Sequence, residues 1–261
     1  MAKDRVRLDL LLVERGLVET RSKAQAVIMA GEVQVNGVVV DKPGTPCTTD
    51  VQIVVNQPPK FVSRGGEKLE KALTHFHLDV NGKIAADVGA STGGFTDCLL
   101  QNGVSKVYAI DVGYGQIAQK LRDDSRVILM ERTNARYLTA LAEPVNLVVI
   151  DASFISLRLI LPVVIQWLKS DGDVVALIKP QFEAGRSEVG KGGVVRHRET
   201  HKQVLSNVLT FATGLGLHVG GLVKSPIKGP AGNIEFLVWL SLAAIPSRIL
   251  PDIDSIVEAA L

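Results

Sequence analysis

Two aspartates close apolar runs in the middle of the chain, and each leads into a glycine-bearing turn. Lys83-Ile84-Ala85-Ala86-Asp87 continues as Val88-Gly89-Ala90-Ser91-Thr92-Gly93-Gly94-Phe95, and Tyr108-Ala109-Ile110-Asp111 continues as Val112-Gly113. A glycine-rich turn after the first strand of an α/β sheet puts backbone amides at the ligand crevice, and an acidic residue ending the next strand accepts hydrogen bonds from ribose hydroxyls. The spacing is not G-x-G-x-x-G. A carboxylate ahead of the turn repels a pyrophosphate and favours the ammonium of an amino-acid-bearing cofactor. The candidate cofactor residues are Asp87, Gly89, Ser91, Thr92, Gly93, Gly94, Phe95, Asp111 and Val112. Asn134, in Arg132-Thr133-Asn134-Ala135, either meets the adenine or serves as a turn or helix cap.

Two further apolar runs end in charge: Val148-Val149-Ile150-Asp151 and Ala176-Leu177-Ile178-Lys179, the latter stopped by Pro180. In a parallel sheet both ends reach the same rim as the glycine-rich turn. Glu235 stands at or near the start of the last apolar run, and Lys68 lies on a helix preceding the first. Taken singly, Lys68 and Glu235 read as surface charges.

The elements that must position these residues alternate. Strands are expected at Ile84–Asp87, Lys106–Asp111, Val127–Met130, Leu147–Ile150, Val174–Ile178, His218–Val223 and Ile234–Leu240. Helical periodicity falls at Leu69–Phe76, Thr96–Gln101 and His201–Thr213. Seven strands with helical crossovers imply a doubly wound, mostly parallel α/β sheet. Glu183–His197, glycine-rich and of mixed charge, reads as a mobile loop.

Residues 1–57 form a separate small α+β unit. Leu8, Leu11 and Leu12 recur at helical spacing before Gly16, and Thr20 or Ser22 caps a second helix carrying Ala24, Val27 and Ile28. Val33-Gln34-Val35-Asn36-Gly37-Val38 is a hairpin signature, because both central positions of a type I′ turn need positive φ. A last strand is expected at Val51–Val55. Residues 58–65, opening on Pro58-Pro59, read as a linker, and 66–261 as the larger domain. Arg5, Arg7, Arg21, Ser22 and Lys23 gather at the two helix starts and suit RNA phosphates. Asp4, Asp9, Glu14 and Glu19 are interleaved with them, as on an ordinary solvated face.

Composition narrows the class. At 46% hydrophobic and 21% charged residues the 261-residue chain is globular, and 5% aromatics imply an aliphatic core suited to buried strands. A net charge of +2 gives no global pull toward nucleic acid, so any basic surface is local. Cys47 and Cys98 have no metal-ligand or disulfide spacing, so no metal is expected. Met1–Arg7 lacks an apolar run, and Leu157–Leu168 is too short, and too interrupted by Arg158 and Pro162, to span a bilayer. A cytoplasmic protein without a membrane partner is expected.

Two resemblances sharpen this. Arg7-Leu8-Asp9, Gly16-Leu17, Thr20-Arg21-Ser22-Lys23-Ala24 and Gly31-Glu32-Val33-Gln34-Val35-Asn36-Gly37 resemble the RNA-binding module named after the fourth small-subunit ribosomal protein. The order Lys68, glycine-rich turn, Asp151, Lys179, Glu235 resembles the lysine–aspartate–lysine–glutamate tetrad of FtsJ-type RNA 2′-O-methyltransferases. Together they resemble the TlyA family of ribosomal RNA cytidine 2′-O-methyltransferases, historically also labelled haemolysins. The resemblance implies a Rossmann-like methyltransferase sheet, S-adenosylmethionine as cofactor, ribosomal RNA or ribosomal subunits as partner with no DNA, and Lys68, Asp151, Lys179 and Glu235 as catalytic. Three other readings stand against it: a membrane-active haemolysin, a non-catalytic RNA-binding assembly factor, and a methyltransferase acting on a base or a protein.

Overall fold

The computed structural model describes residues 5–56, 59–244 and 252–261, so Pro58 of the expected linker, together with Asp4 and Gln57, lies outside the described residues. The chain divides into two compact units, Met1–Lys60 and Phe61–Leu261. Residues 61–65, expected in the linker, pack as part of the second unit. Phe61 is buried in its core, and the Val62 amide donates to Asp97 Oδ2 at 2.8 Å.

In the first unit β1 (Arg5–Arg7) runs into α1 (Leu8–Glu14), and α2 (Arg21–Met29) comes next. Thr20 is the cap of α2, accepting from the Lys23 amide at 3.2 Å; such a cap contributes about 1 kcal/mol. β2 (Val33–Val35) and β3 (Val38–Val39) form the hairpin, with Asn36 and Gly37 at φ 51° and 80°. β4 (Pro46–Thr48) pairs with β1, while β5 (Ile53–Val55) pairs with β2 on its other side. The β1–β4 ladder carries no signal in the sequence. Three residues with charges at alternate positions do not announce a strand, and its pairing is decided by the core of Leu8, Leu11, Leu12, Ala24, Ile28, Val33 and Cys47.

The second unit opens with α3 (Gly65–Phe76) and β6 (Ile84–Val88). It continues through α4 (Gly94–Gln101), β7 (Lys106–Ile110), α5 (Gln119–Arg122), β8 (Val127–Met130), β9 (Val145–Ile150), α6 (Leu157–Val164) and β10 (Leu168–Ile178). α7 (Pro180–Glu183), α8 (Arg198–Gly214), β11 (His218–Lys224), β12 (Phe236–Ser241) and α9 (Ile253–Ala260) complete it. The seven strands lie in the order β11-β12-β10-β9-β6-β7-β8, all parallel except β12, which runs antiparallel to both neighbours. This is the doubly wound, mostly parallel sheet expected.

Side chains alternate across it. Ala85, Val107, Leu147, Val149, Val175, Leu177 and Leu237 face α3 and α4, while Ala86, Val88, Val148, Ile150, Val174 and Val238 face α6 and α8. The apolar run from Leu157 is α6, a helix containing Pro162 that tightens into a 3-10 turn at Ile165–Trp167. The segment expected as a mobile loop carries local structure. From the end of α7 it holds a 3-10 turn at Arg186–Glu188 and a bridge between Gly190 and Val194, and Asn233 is hydrogen-bonded to it at both Val195 and Gly193.

Candidate active site

Strand order reverses between β6 and β9, and in doubly wound sheets the ligand crevice opens at the carboxyl ends of the strands at that point. Gly89 comes directly after β6 there with φ 86°, and a methyl group on it would lie 2.8 Å from the Asp151 carbonyl oxygen, so glycine is required by conformation and by space. Ser91, itself at φ 50°, donates its amide to Asp111 Oδ2 at 2.7 Å, and the Gly113 amide donates to Asp111 Oδ1 at 2.7 Å. Asp111 is thereby fixed at the wall of a cavity of about 460 Å³ shared with Gly89, Ser91, Val112, Thr133 and Asn134. Each carboxylate oxygen keeps a second acceptor site for a ribose hydroxyl. Asn134 is a cap: its Oδ1 accepts from the Arg136 amide, 3.0 Å away, at the adjoining 3-10 turn, and the residue also lines the cavity.

The rest of the glycine-rich turn divides by role. Thr92, Gly94 and Phe95 line an adjoining cavity of about 310 Å³, with Phe95 almost wholly buried at its floor. Gly93 lines neither cavity; it stands at φ 97° where a methyl group would lie 2.2 Å from Leu121, so its role is close packing on α5. Gly94 lets the starts of α3 and α4 approach, since a methyl group there would lie 2.3 Å from Ser63 Oγ.

Asp87 lies within β6. The alternation along the strand turns it with Ala85 toward α4, where its Oδ2 accepts from Thr96 Oγ1 at 2.6 Å and its Oδ1 has no partner among the described residues. It is fully buried and lines neither cavity. Burial pushes its pKa up to about 7.

The four ionisable residues distant in sequence converge. Lys68 Nζ lies 2.7 Å from Glu235 Oε2 and 3.9 Å from Asp151 Oδ2, and Lys179 Nζ lies 2.7 Å from Asp151 Oδ1. All four line the smaller cavity, and Lys68, Lys179 and Glu235 are buried. Two ammonium groups and two carboxylates balance in charge. Burying them costs several kcal/mol per ion against water, and hydrophobic residues would serve stability as well or better, so the arrangement points to chemistry. Three residues missed in the sequence belong here. Ser153 Oγ accepts from Lys179 Nζ at 2.8 Å. Phe154 is 90% exposed at φ 63°, with its ring centroid 5.1 Å from that of Phe182. Gly229 passes so close to Glu235 that a methyl group on it would lie 2.5 Å from Oε1. The signal for the first two was their place in the loop directly after Asp151; Gly229 gave none.

In the first unit Arg7 and Arg21 meet on one buried carboxylate. Arg7 donates to both oxygens of Asp9 at 3.0 Å, and Arg21 Nε and Gln25 Nε2 donate to Oδ2 at 3.1 Å. The Arg7 hydrogen bond, foremost, holds the Asp9 carboxyl well below the usual range. The interleaved aspartate thus organises the basic cluster, leaving both guanidiniums about half exposed. Arg5 and Ser22 are exposed, and Lys23 pairs with Glu19 at 3.3 Å.

Among the described residues no group of His, Cys, Asp and Glu could hold a metal, and no helix is long and apolar enough to cross a membrane.

The FtsJ-like methyltransferase family matches residues 61–242, which carry the switch-point crevice of Asp111 and the two lysine–carboxylate pairs, and the S4 domain matches residues 6–53. The chain is 46% identical to the 16S/23S rRNA (cytidine-2′-O)-methyltransferase TlyA of Mycobacterium tuberculosis over 90% of each chain. It is 45% identical to Hemolysin A of Brachyspira hyodysenteriae over 89% of this chain and 98% of that one. A solved hemolysin chain from Streptococcus thermophilus matches with a TM-score of 0.73 at 46% identity, covering 99% of this chain and 96% of its own. The chain belongs to the TlyA family of FtsJ-like methyltransferases.

Proposed function

We propose that this protein transfers the methyl group of S-adenosylmethionine to the ribose 2′-hydroxyl of a cytidine in ribosomal RNA, with Lys68, Asp151, Lys179 and Glu235 as its catalytic residues. The observation that carries the reading is the meeting of those four side chains beside the cavity walled by Asp111. The M. tuberculosis relative is named for this reaction. The cavity suits the cofactor: Asp111 and Asn134 would hold the adenosine, and the Gly89–Ser91 turn with the start of α4 would hold the amino-acid end.

Bound there, S-adenosylmethionine supplies an already activated sulfonium methyl group. The chain's tasks are then alignment of the 2′-oxygen and management of its proton. Lys179 Nζ has hydrogen bonds to Asp151 and Ser153, and the 2′-oxygen takes the place of the Ser153 hydroxyl. The ammonium stabilises negative charge developing on that oxygen, and the departing 2′-hydroxyl proton ends on the Asp151 carboxylate, relayed by Lys179 as it passes one of its own protons to Asp151 and takes the substrate's. Lys68, held between Glu235 and Asp151, keeps the aspartate oriented and the group neutral. Arg7 and Arg21, presented by Asp9, contact RNA phosphates together with Arg5, Ser22 and Lys23.

The test is digestion of ribosomal RNA from cells with and without the protein, with nucleosides resolved by mass. Loss of a 2′-O-methylcytidine, restored by the wild-type chain and not by Lys179→Ala, is expected. An unchanged nucleoside profile, or full methyl transfer by Lys179→Ala, overturns the reading.

A further inference from the structure

The segment between α7 and α8 is more than a connection. Gly190 and Val194 bridge as a tight hairpin, with the Gly193 amide donating back to the Gly190 carbonyl and Gly192 and Gly193 at φ 80° and 74°. The hairpin lifts Lys191 at its tip, and Arg186 and Arg196 flank its base; all three are exposed. None of the three enters an ion pair with a described residue, whereas Arg198 and Lys202 just beyond both pair with Glu258. The nearest carboxylate in sequence, Glu188, is turned back onto the Gly185 amide. Three unneutralised cations within eleven residues contrast with a chain whose net charge is only +2.

The hairpin is also wired to the site. The Asn233 amide is buried, its Nδ2 donates to the Gly193 carbonyl at 2.9 Å, and its Oδ1 accepts from the Val195 amide at 2.9 Å. The Asn233 carbonyl accepts from the Gly229 amide at 2.9 Å, closing the turn that presses on Glu235. That same turn carries Lys228, which lines the cavity of the four ionisable residues. One buried amide therefore links the hairpin to the turn that adjoins the carboxylate paired with Lys68.

We propose that the hairpin Gly190–Val194, with Arg186, Lys191 and Arg196, is a contact surface for the phosphate backbone of RNA flanking the target nucleotide, and that Asn233 is a positioning residue transmitting this contact to Glu235. The proposal rests on the reading of the protein as an RNA methyltransferase. Cations on a glycine-rich tip suit phosphates because the backbone can adjust to a strand of irregular course, and such contacts give affinity without sequence preference.

The experiment measures methyl transfer from labelled S-adenosylmethionine to ribosomal subunits purified from cells lacking the protein, across about 50 to about 200 mM salt. The variants are Arg186→Gln/Lys191→Gln/Arg196→Gln and the corresponding triple substitution to Glu. The neutral variant is expected to raise KM for the subunits by roughly tenfold and the reversed one by more. Both flatten the salt dependence of log kcat/KM by about two to three, at about 0.7–0.9 for each phosphate that is no longer neutralised. Cofactor affinity by calorimetry stays within about twofold. Asn233→Ala is expected to raise KM comparably and to lower kcat severalfold as well; an unchanged kcat removes its positioning role. Wild-type KM and salt slope in both triple variants overturn the surface, as does a loss of cofactor affinity that accounts for the whole effect in both. If the wild type methylates neither subunit, the functional reading fails instead. The surface is then judged by filter binding of the same subunits, where an undiminished salt slope rejects it.

Discussion

The Lys68 ammonium is held 2.7 Å from Glu235 Oε2 although 167 residues separate the two, and both are buried beside a strand end. Glu235 continues the alternation of Leu237 on β12, Asp151 that of Val149 on β9 and Lys179 that of Leu177 on β10, all toward the face covered by α3. Sheet parity and one helix therefore suffice to bring the four together. Removing one partner leaves the other charged and uncompensated, so Glu235→Ala is expected to destabilise the fold by about 3–5 kcal/mol in urea unfolding. The double variant Lys68→Met/Glu235→Leu should recover most of that stability and remain inactive. A double variant as unstable as the single one would show that the pair is needed for folding itself.

That parity also explains which parts of the site were legible. Asp151 and Lys179 could be read from sequence because an apolar run ending in charge marks a rim. Asn36-Gly37 announced its hairpin through local turn chemistry alone. The ladder between β1 and β4 could not be read, since its pairing is set by the core beneath it. Asp87 shares the face of Asp151, but β6 runs on to Val88 and Asp87 pairs in register with Val149, so it lies deeper along the strand, against Thr96 of α4, a depth that its position before the turn did not reveal. The ties running from Gly193 through Asn233 to Glu235 pair side chains with backbone groups, and no spacing rule reveals those.

Gly89 is the position where backbone and chemistry are most tightly joined. Alanine there would need φ near 86° and would bring a methyl group to 2.8 Å from the Asp151 carbonyl. Gly89→Ala is expected to cost roughly 1–3 kcal/mol in stability from backbone strain. By moving Asp151 against Lys179 it should lower kcat by a larger factor than that loss would suggest. Thermal unfolding with single-turnover methyl transfer checks this; a stable variant with wild-type turnover would mean that the two strand ends are not rigidly coupled.

Phe154 has almost no packing to lose. At 90% exposure its removal should leave unfolding unchanged, within about 0.5 kcal/mol. Its left-handed backbone and its neighbour Phe182 hold the ring beside the loop of Asp151 and Ser153, where the proposed reaction would place the base attached to the ribose. Stacking of a base on an aromatic ring contributes about 1–3 kcal/mol. Phe154→Ala is therefore expected to lower kcat/KM for RNA by roughly tenfold to a hundredfold, with Phe154→Trp retaining most activity. Equal activity of the Ala and Trp variants would remove the ring from the substrate's path.

Asp87 makes the fold itself sensitive to pH. Burial raises its pKa in the folded protein to about 7, above the usual carboxyl value of about 3.9, so between those limits the folded state binds more protons than the unfolded one. Stability from this group is present below about pH 4 and is lost as pH rises toward and past about 7, by an amount on the order of 4 kcal/mol at most. Asp87→Asn replaces the carboxyl with a neutral group of the same shape that still accepts from Thr96 Oγ1. Relative to wild type it should gain stability from pH 5 to about pH 7 in urea unfolding, by roughly 1.4 kcal/mol per pH unit at the steepest, and level off above that. Cofactor affinity should track that trend only weakly, because this carboxyl lines neither cavity. Parallel stability profiles for the two proteins would mean that Asp87 stays ionised in the folded state, and that its buried Oδ1 is compensated by a donor the fold brings to it.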